Sequence, residues 1–276
     1  MNINLTPLAQ RPFPIRLGIF ILTLLLLWLP IAAPIYLLVK NPNLVTIFTM
    51  VPLAIEFLIL LPFWGKYVHQ QPKIFQHYGL ELTRKNKVEL LRGLAIGFVS
   101  ILILFSLEGL LGWLVWQQTS SFQLRFVLEG IVTALGTAFA EELFFRGWMY
   151  DELQRDYNPS VVLWATATIF AVAHFIKPLS EVIRTSPQFF GLLLLGLALV
   201  WAKRRCQGRL GFPIGIHAGL VWGWYIINVG QLVKYSGRVP DWVTGVNNNP
   251  LAGVMGLVFM GVLVLWMRGR GERSRL

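Results

Sequence analysis

The residues with chemistry to offer begin at Ala140-Glu141-Glu142-Leu143-Phe144-Phe145-Arg146. Two adjacent carboxylates close an apolar run in which Glu129 is the one charge between Phe126 and Ala140. Bare carboxylates in such a run cost several kcal/mol unless they are paired or face a wet cavity. On a helix, neighbours point about 100° apart, so Glu141 and Glu142 do different jobs. Glu142 and Arg146 are four apart in the order that favours an ion pair, which leaves Glu141 free.

Two histidines join this group. Phe170-Ala-Val-Ala-His174 and Pro213-Ile-Gly-Ile-His217-Ala-Gly each place one in an apolar run. The run bearing the glutamates and the run bearing His174 meet at Asp156-Tyr157-Asn158-Pro159, a turn signal. In an antiparallel hairpin, residues equidistant from the turn lie side by side, and the midpoint of Glu141 and His174 falls between 157 and 158. His217 lies near the start of its own run, just after the basic segment 203–209, and reaches the same level. A glutamate and two histidines in a low-dielectric cavity suit hydrolysis, with the carboxylate taking a proton from water and the imidazoles positioning water, protonating a leaving amine or stabilising an oxyanion. The same residue types can instead hold a divalent metal such as zinc, which acidifies the water. The residues leave both routes open. No H-E-x-x-H or G-x-S-x-G occurs, which argues against a site-2-type metalloprotease and a rhomboid-like serine site.

The elements that must hold these groups are membrane helices. The chain has 276 residues, 55% hydrophobic and only 13% charged, against about a quarter charged in soluble domains. Its apolar residues fall in eight runs, 17–39, 44–64, 93–116, 126–149, 161–176, 189–202, 210–230 and 251–267. The expected fold is all-α, a polytopic membrane protein of about eight transmembrane helices in one domain spanning 1–276. The first run is too long for a signal-peptide core and reads as a retained helix. Of the 24 lysines and arginines, eighteen lie at the two termini and in alternate connections, with Arg146 counted in the connection after its run. By the positive-inside rule both termini are then cytoplasmic. The net charge of +11 is therefore read as membrane orientation, with the lipid bilayer as partner and no nucleic acid. The lone Cys206 excludes an internal disulfide. His69 and His77, in the basic connection 66–92, read as surface histidines. Glu56, Glu108 and Glu129 read as a proton or cation path in a transporter, or as groups that line a cavity or pair with Arg125 or lysines at the run ends. Tryptophans near run ends, Trp64 and Trp148 among them, read as interface anchors. The glycines at 211, 215, 219 and 223 read as a helix-contact face.

At its polar motifs the chain resembles the CPBP family of type II CAAX prenyl endopeptidases and bacteriocin-processing and abortive-infection-like membrane proteins. The family pattern is E-E-x-x-x-R, then F-x-x-x-H, then a histidine usually followed four residues later by asparagine. Glu141-Glu142-Leu-Phe-Phe-Arg146 and Phe170-Ala-Val-Ala-His174 match in full; His217-Ala-Gly-Leu-Val221 has valine where the asparagine falls. The resemblance covers about 124–230. It implies an intramembrane endopeptidase acting on a membrane-associated peptide or protein, with its site on the cytoplasmic side of a plasma or thylakoid-type membrane. It also implies Glu141 as base, His174 as its partner, His217 as an oxyanion donor and Glu142 with Arg146 as a structural pair. Trp222 is a substitute donor for the missing amide, while Asn228 is too far along its helix. The alternative is a catalytically weak or inactive membrane partner on the same fold, such as an immunity-type protein.

Overall fold

The computed structural model describes residues 5–118 and 124–271; the arginines beyond these in the C-terminal cluster lie outside the described residues. Each of the eight apolar runs lies largely on helix: α1 (Phe13–Leu38), α2 (Pro42–Tyr67), α3 (Arg84–Leu110), α4 (Leu124–Glu142), α5 (Tyr150–Asp156), α6 (Pro159–Ala173), α7 (Gln188–Arg205), α8 (Gly211–Val229) and α9 (Val254–Gly271), with a π-helix over Leu143–Met149 joining α4 to α5. The chain is helical and polytopic in character. Among the described residues four helices, α1, α2, α3 and α8, are long and apolar enough to cross a membrane. A fifth candidate is α7 with the short helix Leu179–Thr185 before it, bent by 75°. The helices α6 and α9 are apolar but shorter, and α4 carries Arg125, Glu129, Glu141 and Glu142.

The third run departs from expectation. The helix stops at Leu110, and Leu114–Trp116 forms a strand, β1, paired antiparallel with β2 (Val233–Tyr235). Gly112, at φ +71°, makes the reversal that a side chain would strain. Apolarity alone does not separate a helix end from a short strand, and the pairing partner lies more than a hundred residues away.

The residues cluster into two compact units. The first holds 1–78 and 151–157. Within it α1 and α2 run antiparallel, with Phe20 edge-on to Phe57 and Trp64 and the Trp28 indole donating to the Thr49 carbonyl. Glu152 is fully buried: Arg16 donates to one oxygen at 2.5 Å, and Trp64 (2.8 Å) and His69 (2.5 Å) meet the other. His69 is thus a buried partner and not a surface histidine, and His77 meets Asp151 at 2.7 Å. The acidic partners lie 83 and 74 residues on, outside any local window. Burial pushes the Glu152 carboxyl upward, but the bonds from His69, Trp64 and Arg16 pull harder and hold it below its ordinary value. The connection 66–92 is packed as well, since Ile74 and Tyr78 are buried.

The second unit holds 79–150 and 158–276. At its centre α3 and α8 run parallel at the distance only glycine allows. Gly93 and Gly97 face the backbone of Phe212–Leu220, and Gly215 and Gly219 face that of Leu90–Phe98. The glycine face of the seventh run is therefore a helix contact, as expected. α4 crosses α8 antiparallel, with Gly130 against Trp222 and Tyr225; α6 and α7 are antiparallel, with Ala167 against Gly196. α7 and α9 are parallel, with Gly191 at Leu251 and Arg205 at Trp266. Trp64 and Trp148 are buried rather than interface anchors. Glu129 pairs with Arg125 at 2.6 Å, while Glu108 is buried with both oxygens lacking a hydrogen-bond partner among the described residues.

Candidate active site

The site is assembled at the point where α4 loosens into the π-helix. Single π turns inside α-helices are rare and recur at functional sites. Here the segment begins at Leu143, immediately after the two glutamates, and Lys203 of α7 donates to the carbonyl of Arg146 within it. The expected pair forms inside this segment: Arg146 Nη1 lies 2.9 Å from Glu142 Oε1, both side chains fully buried. Arg146 also donates to the Gly196 carbonyl at 3.2 Å and stacks over the Phe170 ring, 4.2 Å from its centroid.

Glu142 has a second task that spacing did not disclose. His217 Nδ1 lies 3.0 Å from the same Oε1, so the carboxylate accepts from both Arg146 and His217. Glu142 therefore positions His217 besides pairing with Arg146. The hydrogen bond leaves His217 Nε2 as the atom facing Glu141, 3.9 Å from Oε2. His174 caps the end of α6, and its Nδ1 donates to the Phe170 carbonyl at 2.8 Å. That bond turns Nε2 toward Glu141 Oε2, at 3.8 Å. Phe170 holds the group from beneath, edge-on to His174 and His217.

The structure thus brings Glu141, Glu142, Arg146, His174 and His217 together. Glu141 and His174 remain about 30% exposed, whereas Glu142 and Arg146 are sealed. Separations of 3.8 and 3.9 Å exceed a direct hydrogen bond and match groups that share a small third partner such as water. Glu141, His174 and His217 line one cavity of about 310 Å³ whose walls are mostly apolar, with Leu104, Leu192, Leu195, Phe259 and Met260 among them. Two carboxamides, Gln188 and Asn249, also line it. Both come from segments with no polar motif, and no local signal in the sequence marks them.

Trp222 does not replace the missing amide. Its indole N–H donates to the Val127 carbonyl at 3.0 Å, and its ring packs on Phe98. Val221 itself lines the cavity, and Asn228 lines a different one beside Tyr235. Among the described residues no group of three or more His, Cys, Asp or Glu side chains is arranged to hold a metal ion. The side chains as placed do not form a zinc cage.

The fold is that of a polytopic membrane protein whose apolar helices enclose a glutamate and two histidines. A family model described as Type II CAAX prenyl endopeptidase Rce1-like matches residues 123–223, the stretch that carries all three motifs. That match supports membership of the CPBP family for this stretch of the chain. No curated protein and no solved structure matches the chain.

Proposed function

We propose that the chain is an intramembrane endopeptidase that hydrolyses a peptide bond in a membrane-associated peptide or protein, with Glu141 as the base. The observation that carries this reading is the convergence of two imidazole Nε2 atoms on Glu141 Oε2, at 3.8 and 3.9 Å, in a mostly apolar cavity. As the water oxygen bonds to the scissile carbonyl carbon, Glu141 takes a proton from it and the carbonyl π pair moves onto oxygen. Collapse of the tetrahedral intermediate breaks the C–N bond. The proton passes from Glu141 through His174 Nε2, which holds a lone pair because Nδ1 donates to Phe170, to the leaving amine. His217, held at Nδ1 by Glu142, stabilises the oxyanion as an imidazolium donating from Nε2.

The reading includes one membrane domain, eight spans, cytoplasmic termini and a site open to the cytoplasmic side of a plasma or thylakoid-type membrane. The pairing directions support the alternation of the spans. Third and seventh runs are parallel, as are sixth and eighth, while first and second, fourth and seventh, and fifth and sixth are antiparallel, which is the alternation eight crossings require.

The test is cleavage of a pool of membrane-tethered peptides, some prenylated, by the purified full chain in lipid, beside Glu141→Gln and His174→Ala, with and without a chelator. Turnover abolished in both variants supports the assignment. Activity sensitive to the chelator replaces the carboxylate base with a metal-bound water. The presence of Val221 favours the second reading, an inactive membrane partner on the same fold. That reading takes over if folded wild type and Glu141→Gln are equally inert.

A further inference from the structure

The two histidines have already spent their Nδ1–H groups, His174 on the Phe170 carbonyl and His217 on Glu142. A neutral ring at either position then presents only a lone pair to the reacting atoms. The Ser100 hydroxyl, also on the cavity wall, donates to the Ile96 carbonyl. Oxyanion chemistry calls for an N–H or O–H that is aimed into the cavity whatever the charge on the imidazoles.

Asn249 carries such an N–H on a residue that lines the cavity. It lies between α8 and α9, at the entry to the turn Pro250–Ala252 that precedes α9. Its Oδ1 accepts from the Leu251 N–H at 3.0 Å, which fixes the side-chain plane. Its Nδ2 makes no hydrogen bond to protein among the described residues, and the residue lines the cavity shared by Glu141, His174 and His217. The turn is held closely. A Cβ on Gly191 would collide with Leu251, one on Gly256 with Pro250, and one on Gly245, at φ +139°, with the Asn249 carbonyl. Helix register sets its depth. Gly196 of α7 meets Ala167 of α6 in an antiparallel pair, so His174, seven residues beyond Ala167, is level with Phe189, seven before Gly196. Leu251 sits on Gly191, two residues from that level. Gln188 and Thr137 line the cavity too, but neither side chain is anchored by a hydrogen bond among the described residues.

We infer that Asn249 donates its side-chain N–H to the carbonyl oxygen of the scissile bond as that oxygen gains charge, taking the place of an amide that Val221 does not provide. The inference rests on the peptidase reading. It assigns a binding and catalytic role to a loop residue outside the three motifs and outside the stretch 123–223 that matches the family.

The test separates the amide from the cap. Asn249→Ser and Asn249→Asp each keep an oxygen for the Leu251 N–H and lose the N–H donors, whereas Asn249→Ala loses both. A peptide cut by wild type is the substrate, with kcat, KM and melting temperature as readouts and Glu141→Gln as the inactive control. Expected is a fall in kcat of roughly ten- to a hundredfold in Ser and Asp variants, with KM within about twofold and the melting temperature kept. Val221→Asn added to Asn249→Ser restores part of the loss. Wild-type kcat in Asn249→Ser, with Glu141→Gln inactive, overturns the role of Asn249 and leaves the peptidase reading standing. So does a loss confined to Asn249→Ala together with a lower melting temperature. If wild type cuts no peptide in the pool, affinity for a phosphinic peptide, a tetrahedral mimic, becomes the readout. Weaker binding by tenfold or more in Asn249→Ser supports the inference, and equal or absent binding overturns it.

Discussion

Removing the carboxylate of Glu142 separates its two tasks. In Glu142→Gln the guanidinium of Arg146 stays fully buried with the Gly196 carbonyl and the Phe170 face as partners but without its counter-charge. Breaking a buried pair from one side costs about 3–5 kcal/mol, because an uncompensated charge remains. At about 2–4 °C per kcal/mol for a chain of this size class, the melting temperature in detergent falls by roughly 6–20 °C. Replacing both partners in Glu142→Leu/Arg146→Met removes the buried charges together, and most of that loss is recovered. Catalysis does not recover, because His217 Nδ1 has lost the oxygen it binds at 3.0 Å and its ring no longer aims Nε2 at Glu141. The assay is thermal unfolding by intrinsic tryptophan fluorescence beside peptide cleavage, on wild type, both singles and the double. A double variant with wild-type stability and wild-type turnover refutes the positioning of His217 by Glu142. Unchanged melting in the singles refutes the buried pair.

Further outcomes follow from the same structure. Glu152 is held below its ordinary value in the folded chain, so its contribution is fully present above about pH 4.5 and is lost as pH falls through the folded value. Glu152→Gln should therefore melt lower than wild type at pH 7, with the gap closing below about pH 4.5 in a melting series. Burial, with Glu89 nearby, pushes the Cys206 thiol up to about 12, so a maleimide at pH 7.5 labels it only after denaturation; rapid labelling of folded protein refutes the burial. A side chain at Gly219 meets the Leu94 carbonyl and the Gly97 backbone, so Gly219→Val pushes α8, and His217 with it, off α3. Turnover should drop by tenfold or more, whereas Gly136→Ala, where a Cβ meets nothing, keeps wild-type rate.

Much of this protein was legible before folding. Long uncharged runs specify helices wherever the alternative is backbone left unpaired in an apolar medium, so all eight runs lie largely on helix. Four-residue glycine spacing marked a contact face on α8, and its partner turned out to be a second glycine pair on α3. The turn at 157–158 set Glu141 beside His174, because residues equidistant from a hairpin tip share a level. What the linear chain left undetermined were contacts across long separations. Glu142 reaches His217 over 75 residues and Glu152 reaches His69 over 83, and nothing local to either end marks the pairing. The π-helix at Leu143, the strand that ends the third run, and the placement of Asn249 in the cavity depend on packing against other helices. Periodicity reports how a segment is solvated, and so it gives the helices. Which polar atoms meet inside them is decided only when the helices close on one another.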